Sequence, residues 1–190
     1  MIRNHRSELL SGHWYILRKH TYEYRRRDGQ WSEQVREVYD RGNGAAILLY
    51  NLQQATVLLT RQFRLPTYLN GNPDGMLIEV CAGLLDDDDP LSCIKREVEE
   101  ETGYRITEVT KVLEAYMSPG AVTEMLHLFV GEYQAAQQVS DGGGLAEEAE
   151  DIEVLEMPFT EALAMIKDGH IRDAKTIMLL QYAQLEGLVK

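Results

Sequence analysis

The sequence predicts an α+β fold, and three observations carry that prediction. Strand-like and helix-like stretches are mixed along the 190 residues without the strand–helix–strand rhythm of a parallel sheet. The first forty residues alternate and contain an Asp-Gly turn between two strand-like runs. Further along stands one long helix with a start and a stop signal at its ends.

Residues 14–24 and Trp31–Asp40 read as strands joined through Arg27-Asp28-Gly29-Gln30. Residues 45–50 and Thr56–Phe63 are a second, apolar pair around a turn at 51–55. Residues 69–75 are polar and rich in Gly, Asn and Pro, and read as a loop. Residues 76–80 form a short strand entering Cys81-Ala82-Gly83. Pro90–Thr102 is the clearest helix: Asp88 or Asp89 caps it, Pro90 suits its first position and Gly103 ends it. Residues 106–117 and 125–133 are strands on either side of Ser118-Pro119-Gly120. Residues 134–150 are polar, contain Gly142-Gly143-Gly144, and read as a mobile loop. A last strand at 152–157 precedes closing helices at Phe159–Lys167 and 175–185.

Composition narrows the function. A net charge of −12 argues against binding the phosphate backbone of nucleic acid, which needs a basic face. It does not exclude a small anionic substrate, because a metal ion and a few Arg residues can offset charge locally. Cys81 and Cys93 stand in no metal-ligand spacing and read as reduced core thiols. The start, Met1-Ile2-Arg3-Asn4-His5-Arg6, does not read as a secretory leader, and no run is apolar enough to span a bilayer. The expected compartment is the cytoplasm.

The helix carries the chemistry. Residues three and four apart share a helix face, so Glu97, Glu100 and Glu101 fall within an arc of roughly 100°. Leu91, Ile94 and Val98 form an apolar stripe beside them. Like charges at this spacing repel, and carboxylates near a helix C-terminus oppose its dipole. A divalent cation with oxygen ligands would compensate them, and Arg96 would offset part of the charge.

The segment Arg96-Glu97-Val98-Glu99-Glu100-Glu101-Thr102-Gly103-Tyr104 resembles the helical half of the Nudix box, matching every fixed position. The preceding loop is one residue shorter than the common form, and Asp88 or Asp89 stands where Glu is usual, so neither is carried over as a ligand. The resemblance implies a Nudix-type mixed β-sheet sandwiched between helices, with an N-terminal antiparallel β extension at 1–42 and a catalytic domain at 43–190. It implies Mg²⁺ as cofactor, with Mn²⁺ as the alternative. The metal would be held by the Ala82 carbonyl, Glu97 and Glu101, with Glu100 as a further ligand or metal-water contact. Counting back from Asp151-Ile152-Glu153, Glu150 would be the general base and a metal contact, with Glu147 and Glu148 as the other candidates.

Further stretches are similar to the nucleoside-diphosphate-sugar branch, and most of all to bacterial GDP-mannose pyrophosphatases. They include residues 36–44, Arg61-Gln62-Phe63-Arg64, Asn70-Gly71-Asn72, residues 116–120 and residues 151–156. By those matches Arg36 and Glu37 would lie near guanine and ribose, and Arg64 would meet a phosphate. Glu124 would contact the sugar, and Lys175 a phosphate or sugar. Trp14 would stack on the base bound by a neighbouring subunit, which implies a homodimer with shared sites. ADP-ribose hydrolysis, and a Nudix scaffold without catalysis, are the competing readings.

Overall fold

Three N-terminal strands pair in sequence order: β1 (Ile2–Gly12), β2 (Ile16–Arg25) and β3 (Trp31–Asp40). The computed structural model describes residues 1–189, and for Glu148 the backbone alone. Strand β1 lies in a stretch for which the sequence predicted none. It has no buried face from which a two-residue period could be read, since all its residues are exposed. Polar pairs across the sheet hold it instead, such as Arg3 to Glu23 at 2.6 Å and Lys19 to Glu8 at 2.7 Å. Residues 116–125 belong to this same unit, which comprises Met1–Asn43 and Tyr116–Met125. There the Ser118-Pro119-Gly120 turn brings Ala121 and Thr123 against the end of β3, where Tyr39 forms a backbone hydrogen bond with each.

The second unit, Gly44–Ala115 with Leu126 onward, is built on β4 (Gly44–Asn51) and β5 (Thr56–Phe63). A short helix, α1 (Leu65–Leu69), precedes the Gly/Asn-rich loop. Two further short strands follow, β6 (Met76–Glu79) on β5 and β7 (Cys81–Leu84) on β4. After helix α2 (Pro90–Thr102), strands β8 (Thr110–Tyr116), β9 (Met125–Glu132) and β10 (Glu153–Pro158) complete the sheet in the order β10-β5-β4-β9-β8. The β4–β9 pairing is parallel, and the β4–β5 and β5–β10 pairings are antiparallel, giving the mixed sheet expected. The closing helices are α3 (Phe159–Lys167) and α4 (Ala174–Leu185).

Strand β4 shows why helices sit on both sides. Ala45, Ala46, Ile47, Leu48 and Leu49 are all fully buried, and successive side chains leave opposite faces of a strand. On one face Ala45, Ile47 and Leu49 pack with Cys93, Ile94 and Val98 of α2, and with Phe129 and Tyr133. Helix α4 also contacts β4 and buries Leu179, Leu180 and Ala183. The predicted α2 stripe needs one correction: Leu91 is exposed, and Cys93 takes its place. Leu91 lies in the first turn of the helix.

The ends of α2 are closed as the sequence predicted. The Asp89 carboxylate accepts the N–H of Leu91 at 3.0 Å and of Ser92 at 3.2 Å. Gly103 takes the left-handed conformation with φ 78°, and its N–H bonds the Glu99 carbonyl. The loop at 134–150 contains two 3₁₀ turns, Ala135–Gln137 and Ala146–Glu148, and is tied to the end of α2 rather than standing off it. Gly143 and Gly144, both at positive φ, donate to the carbonyls of Glu101 at 2.9 Å and Glu100 at 3.0 Å. These carbonyls have no partner within the helix, so the loop satisfies them.

A side chain at position 103 would meet both problems at once. Its Cβ would stand 2.2 Å from the Ser140 carbonyl oxygen, on a backbone conformation that L residues avoid. Gly103→Ala is expected to cost about 2 kcal/mol or more, read as a lowered denaturation midpoint with an unchanged slope.

Candidate metal and active site

Three glutamates leave the C-terminal half of α2 and meet three environments. Glu101 turns inward beside β7 and is 2% exposed. Its Oε2 accepts the Ala82 N–H at 3.3 Å, and its carboxyl also takes the Cys81 thiol. Burial pushes this carboxyl up to about 8, and the charges of Glu97 and Glu150 push the same way, against the Cys81 and Ala82 hydrogen bonds. Glu97 lies directly on the backbone of Gly83: a Cβ there would stand 2.1 Å from its carboxyl carbon. Only glycine leaves that space. Glu100 is held by Arg96, whose Nη1 reaches Glu100 at 2.9 Å and Glu97 at 3.0 Å.

The glycine loop brings a fourth carboxylate. Glu150 Oε2 accepts the Leu145 N–H at 3.0 Å, and a Cβ on Gly144 would meet that same oxygen at 2.5 Å. Because Gly144 is itself bonded to Glu100, the loop fixes Glu150 at the end of α2, where its charge acts on Glu101. Glu147 is exposed, and the side chain of Glu148 lies outside the described residues.

These donors fit a hard divalent cation. Glu97, Glu100, Glu101, Glu150 and the Ala82 carbonyl are all oxygen ligands. Among the described residues no three carboxylate, imidazole or thiolate side chains close on one point as a finished cage. Magnesium is commonly held by one or two carboxylates while keeping waters and substrate phosphates, so an open set suits it better than a closed one. A cation here would also relieve the repulsion around Glu101.

Behind this group lies a buried ion cluster. Arg64, just past β5, gives its Nε–H to Glu79 Oε2 at 2.6 Å. Lys175 Nζ meets Glu79 Oε1 at 2.5 Å and Asp173 Oδ1 at 3.0 Å. Burial presses the Glu79 carboxyl upward, but Lys175 and Arg64 outweigh it and hold the group below its ordinary range. Burial likewise favours a neutral Lys175, and Glu79 and Asp173 overcome that and keep it charged. Lys175 is therefore no surface contact: it is 9% exposed, with its ammonium bonded inside the protein. Arg64 keeps 40% of its side chain exposed, and its charge acts on Glu101.

The remaining predicted residues lie in the first unit. Trp14 is 79% exposed beside Tyr15. Arg36 and Glu37 are exposed neighbours on β3 and so leave opposite faces of that sheet. Arg36 donates to the Val35 carbonyl and to Gln34, and Glu124 pairs with Arg41 at 3.4 Å. Cys81 and Cys93 are reduced and buried, as expected. Sequence reasoning missed Glu79 and Asp173. A lone carboxylate inside the apolar run Leu77-Ile78-Glu79-Val80-Cys81 is the signal that could have found Glu79, since a charge within such a run is buried only with a partner.

Comparison with known proteins gives concordant matches. The family described as NUDIX domain matches residues 40–180, and the one described as GDP-mannose pyrophosphatase NudK N-terminal domain matches residues 1–39. A GDP-mannose pyrophosphatase of Yersinia enterocolitica is 61% identical over 189 residues, covering 100% of this chain and 98% of the relative. Relatives of the same name from Cronobacter sakazakii and Pectobacterium atrosepticum are 56% and 58% identical, covering 97% and 95% of this chain and 95% and 92% of their own.

The state of Glu101 sets a stability experiment. Its pKa rises from 4.5 in the open chain to about 8 when folded, so the folded state loses stability as pH climbs between those values. Glu101→Gln removes the ionised form. In chelator the variant is expected to melt several degrees above wild type at pH 8, with the gap closing towards pH 5. Mg²⁺ should raise the melting temperature of wild type and leave the variant unmoved. Gly83→Ala should also lose the Mg²⁺ response, while shifting chelated stability little, because only a flexible side chain must give way. Equal melting of wild type and Glu101→Gln at pH 8 in chelator would contradict the assigned strain.

Proposed function

The chain belongs to the Nudix hydrolase family, and from that premise we propose that it cleaves GDP-mannose to GMP and mannose 1-phosphate with Mg²⁺ bound. The chain is an enzyme acting on pyrophosphate bonds. The observation that supports this reading most directly is that Glu97 and Glu101 stand against the bare backbone of Ala82-Gly83, with the charge of Glu150 near enough to act on Glu101.

Glu97, Glu101 and the Ala82 carbonyl are assigned to the metal, with Glu100 behind them. When bound, the ion offsets the charge of the diphosphate and lowers the pKa of the attacking water. Glu150 is assigned as general base, because the glycine loop fixes it beside those ligands while leaving it half-buried and within reach of water. Arg64 supplies a guanidinium fork for a phosphate, and Lys175 a second positive charge behind it. Arg36, Glu37, Glu124 and Trp14 are assigned to the nucleoside and sugar. Since Arg36 and Glu37 leave opposite faces of β3, at most one of them meets a given base face directly.

Residues 1–42 are assigned as a dimerisation element and 43–190 as the catalytic domain. Exposed Leu9, Leu10, Ile16 and Val35 on the three-stranded sheet, and Trp14 in its β1–β2 turn, support a homodimer, as a partner would cover apolar side chains left in water. Shared sites across that dimer would place Trp14 over the partner's base. Two reduced thiols support a cytoplasmic location, and among the described residues no helix is long and apolar enough to cross a membrane.

Purified protein incubated with GDP-mannose and Mg²⁺ is expected to release GMP and mannose 1-phosphate, resolved by chromatography. Glu101→Gln should lose roughly 100-fold or more in kcat/KM. AMP from ADP-ribose at a far higher kcat/KM would move the substrate and keep the mechanism. A folded protein without product from either would favour the scaffold reading. Full activity in a monomer, measured by sedimentation at assay concentration, would remove the shared site.

A further inference from the structure

Glu79 ends β6 at a junction of three segments, and the chemistry above gives it no role. Its carboxylate is 3% exposed. One oxygen accepts Arg64 Nε and the other Lys175 Nζ, so a single buried anion bridges two cations that are distant in sequence. Asp173 holds Lys175 from the other side. The next residue, Val80, gives its N–H to Thr176 Oγ1 at 2.8 Å, and that hydroxyl donates to Asp173 at 2.6 Å. The strand and the start of α4 are therefore locked together around Glu79.

Stability alone is a poor reason for this arrangement. Buried ion pairs are often matched or bettered by apolar residues of the same volume. Donor counting supplies another reason. A guanidinium has five N–H donors, and Glu79 takes the one on Nε. That bond fixes the plane of the group and leaves its terminal amino groups as a fork suited to phosphate oxygens. An ammonium has three N–H donors, and Glu79 and Asp173 take two, which aims the third. Arg64 is near enough to the acidic helix for the charge of Glu101 to act on it. Three residues beyond Glu79, β7 presents Ala82, bonded to Glu101.

We propose that Glu79 is a positioning residue for diphosphate binding, orienting the Arg64 fork and the Lys175 ammonium as one clamp. The proposal rests on the diphosphate hydrolysis argued above. Glu79 touches neither the substrate nor the metal, and acts by fixing where two positive charges stand before substrate arrives. A neutral glutamine of the same size has one acceptor oxygen and no charge, and cannot hold both cations.

The test uses the whole protein with Mg²⁺, and inorganic pyrophosphate as the probe common to any diphosphate substrate. Its Kd is measured by calorimetry for wild type, Glu79→Gln, Arg64→Ala and the double variant, beside KM and kcat for GDP-mannose. Glu79→Gln is expected to weaken pyrophosphate binding and raise KM about tenfold, the effect of one charge-assisted hydrogen bond, with kcat changing far less. In the Arg64→Ala background the same substitution should add little, and Glu79→Asp, which keeps the charge, should recover part of the loss. Unchanged pyrophosphate affinity in folded Glu79→Gln, fully additive losses, or no pyrophosphate binding by wild type would each overturn the proposal. Should Glu79→Gln not fold, Glu79→Ala takes its place in the cycle with Arg64→Ala, and the same outcomes support or overturn the proposal. Pyrophosphate binding that depends on Glu79 without GDP-mannose turnover would retire the substrate and leave the clamp. Turnover with a KM indifferent to Glu79 would do the reverse.

Discussion

The structure depends on the cost of burying a carboxylate among carboxylates. Glu101 is withdrawn from water with Glu97 and Glu150 close enough to oppose its ionisation. Nearly every local feature serves that crowding. Gly83 leaves room for the Glu97 carboxyl, and Gly144 for that of Glu150. Arg96 spans Glu97 and Glu100 from the same helix. A chain selected only for stability would neutralise Glu101. Keeping an ionisable group there, at a cost to the fold, is what the cation site proposed above would require.

Such strain needs a rigid surround, and the sheet supplies it. β4 is buried on both faces, so the β7 backbone paired to it cannot drift without opening the core. Helix α2 is fixed at its start by Asp89, along its length by Cys93, Ile94 and Val98, and at its end by Gly103 and the glycine loop. The two elements that form the site therefore meet at a distance set by packing rather than by their own charges. The Thr176–Val80 bond extends this to the C-terminal helix.

Much of this was legible in the sequence, for physical reasons that differ by residue. Helix α2 was read to its ends because Asp89, Pro90 and Gly103 act locally, through capping and φ. Phe159–Lys167 and Trp31–Asp40 were read to their ends as well. Strand β1 was not readable, since cross-strand ion pairs hold it and no burial pattern marks it. The docking of the glycine loop was also hidden: three glycines suggest freedom, but here positive φ directs N–H groups onto the open carbonyls of α2. At the site, the glutamate spacing gave the face but not the depth. That Glu101 is buried while Glu100 stays open to Arg96 depends on where β7 lies. Lys175 shows the same limit, because only the fold brings it to Glu79.

A protein of net charge −12 must still attract a diphosphate, and the distribution of charge explains how it can. Long-range attraction is not available to it, so binding has to rest on short-range contacts in a partly buried place, where salt screens little. Counted as net charge, Glu79 and Asp173 work against that aim, because they add negative charge behind Arg64 and Lys175. Their effect is the opposite at close range. Without them, burial would favour a neutral Lys175, and an unpaired Arg64 would lose the bond that sets its plane. The acidic partners keep two cations charged and still, and a still cation gives up less entropy when an anion arrives. In the proposed function the carboxylates of α2 and those of the buried cluster thus do complementary work: one set leaves a place for positive charge to be added, and the other preserves positive charge already there.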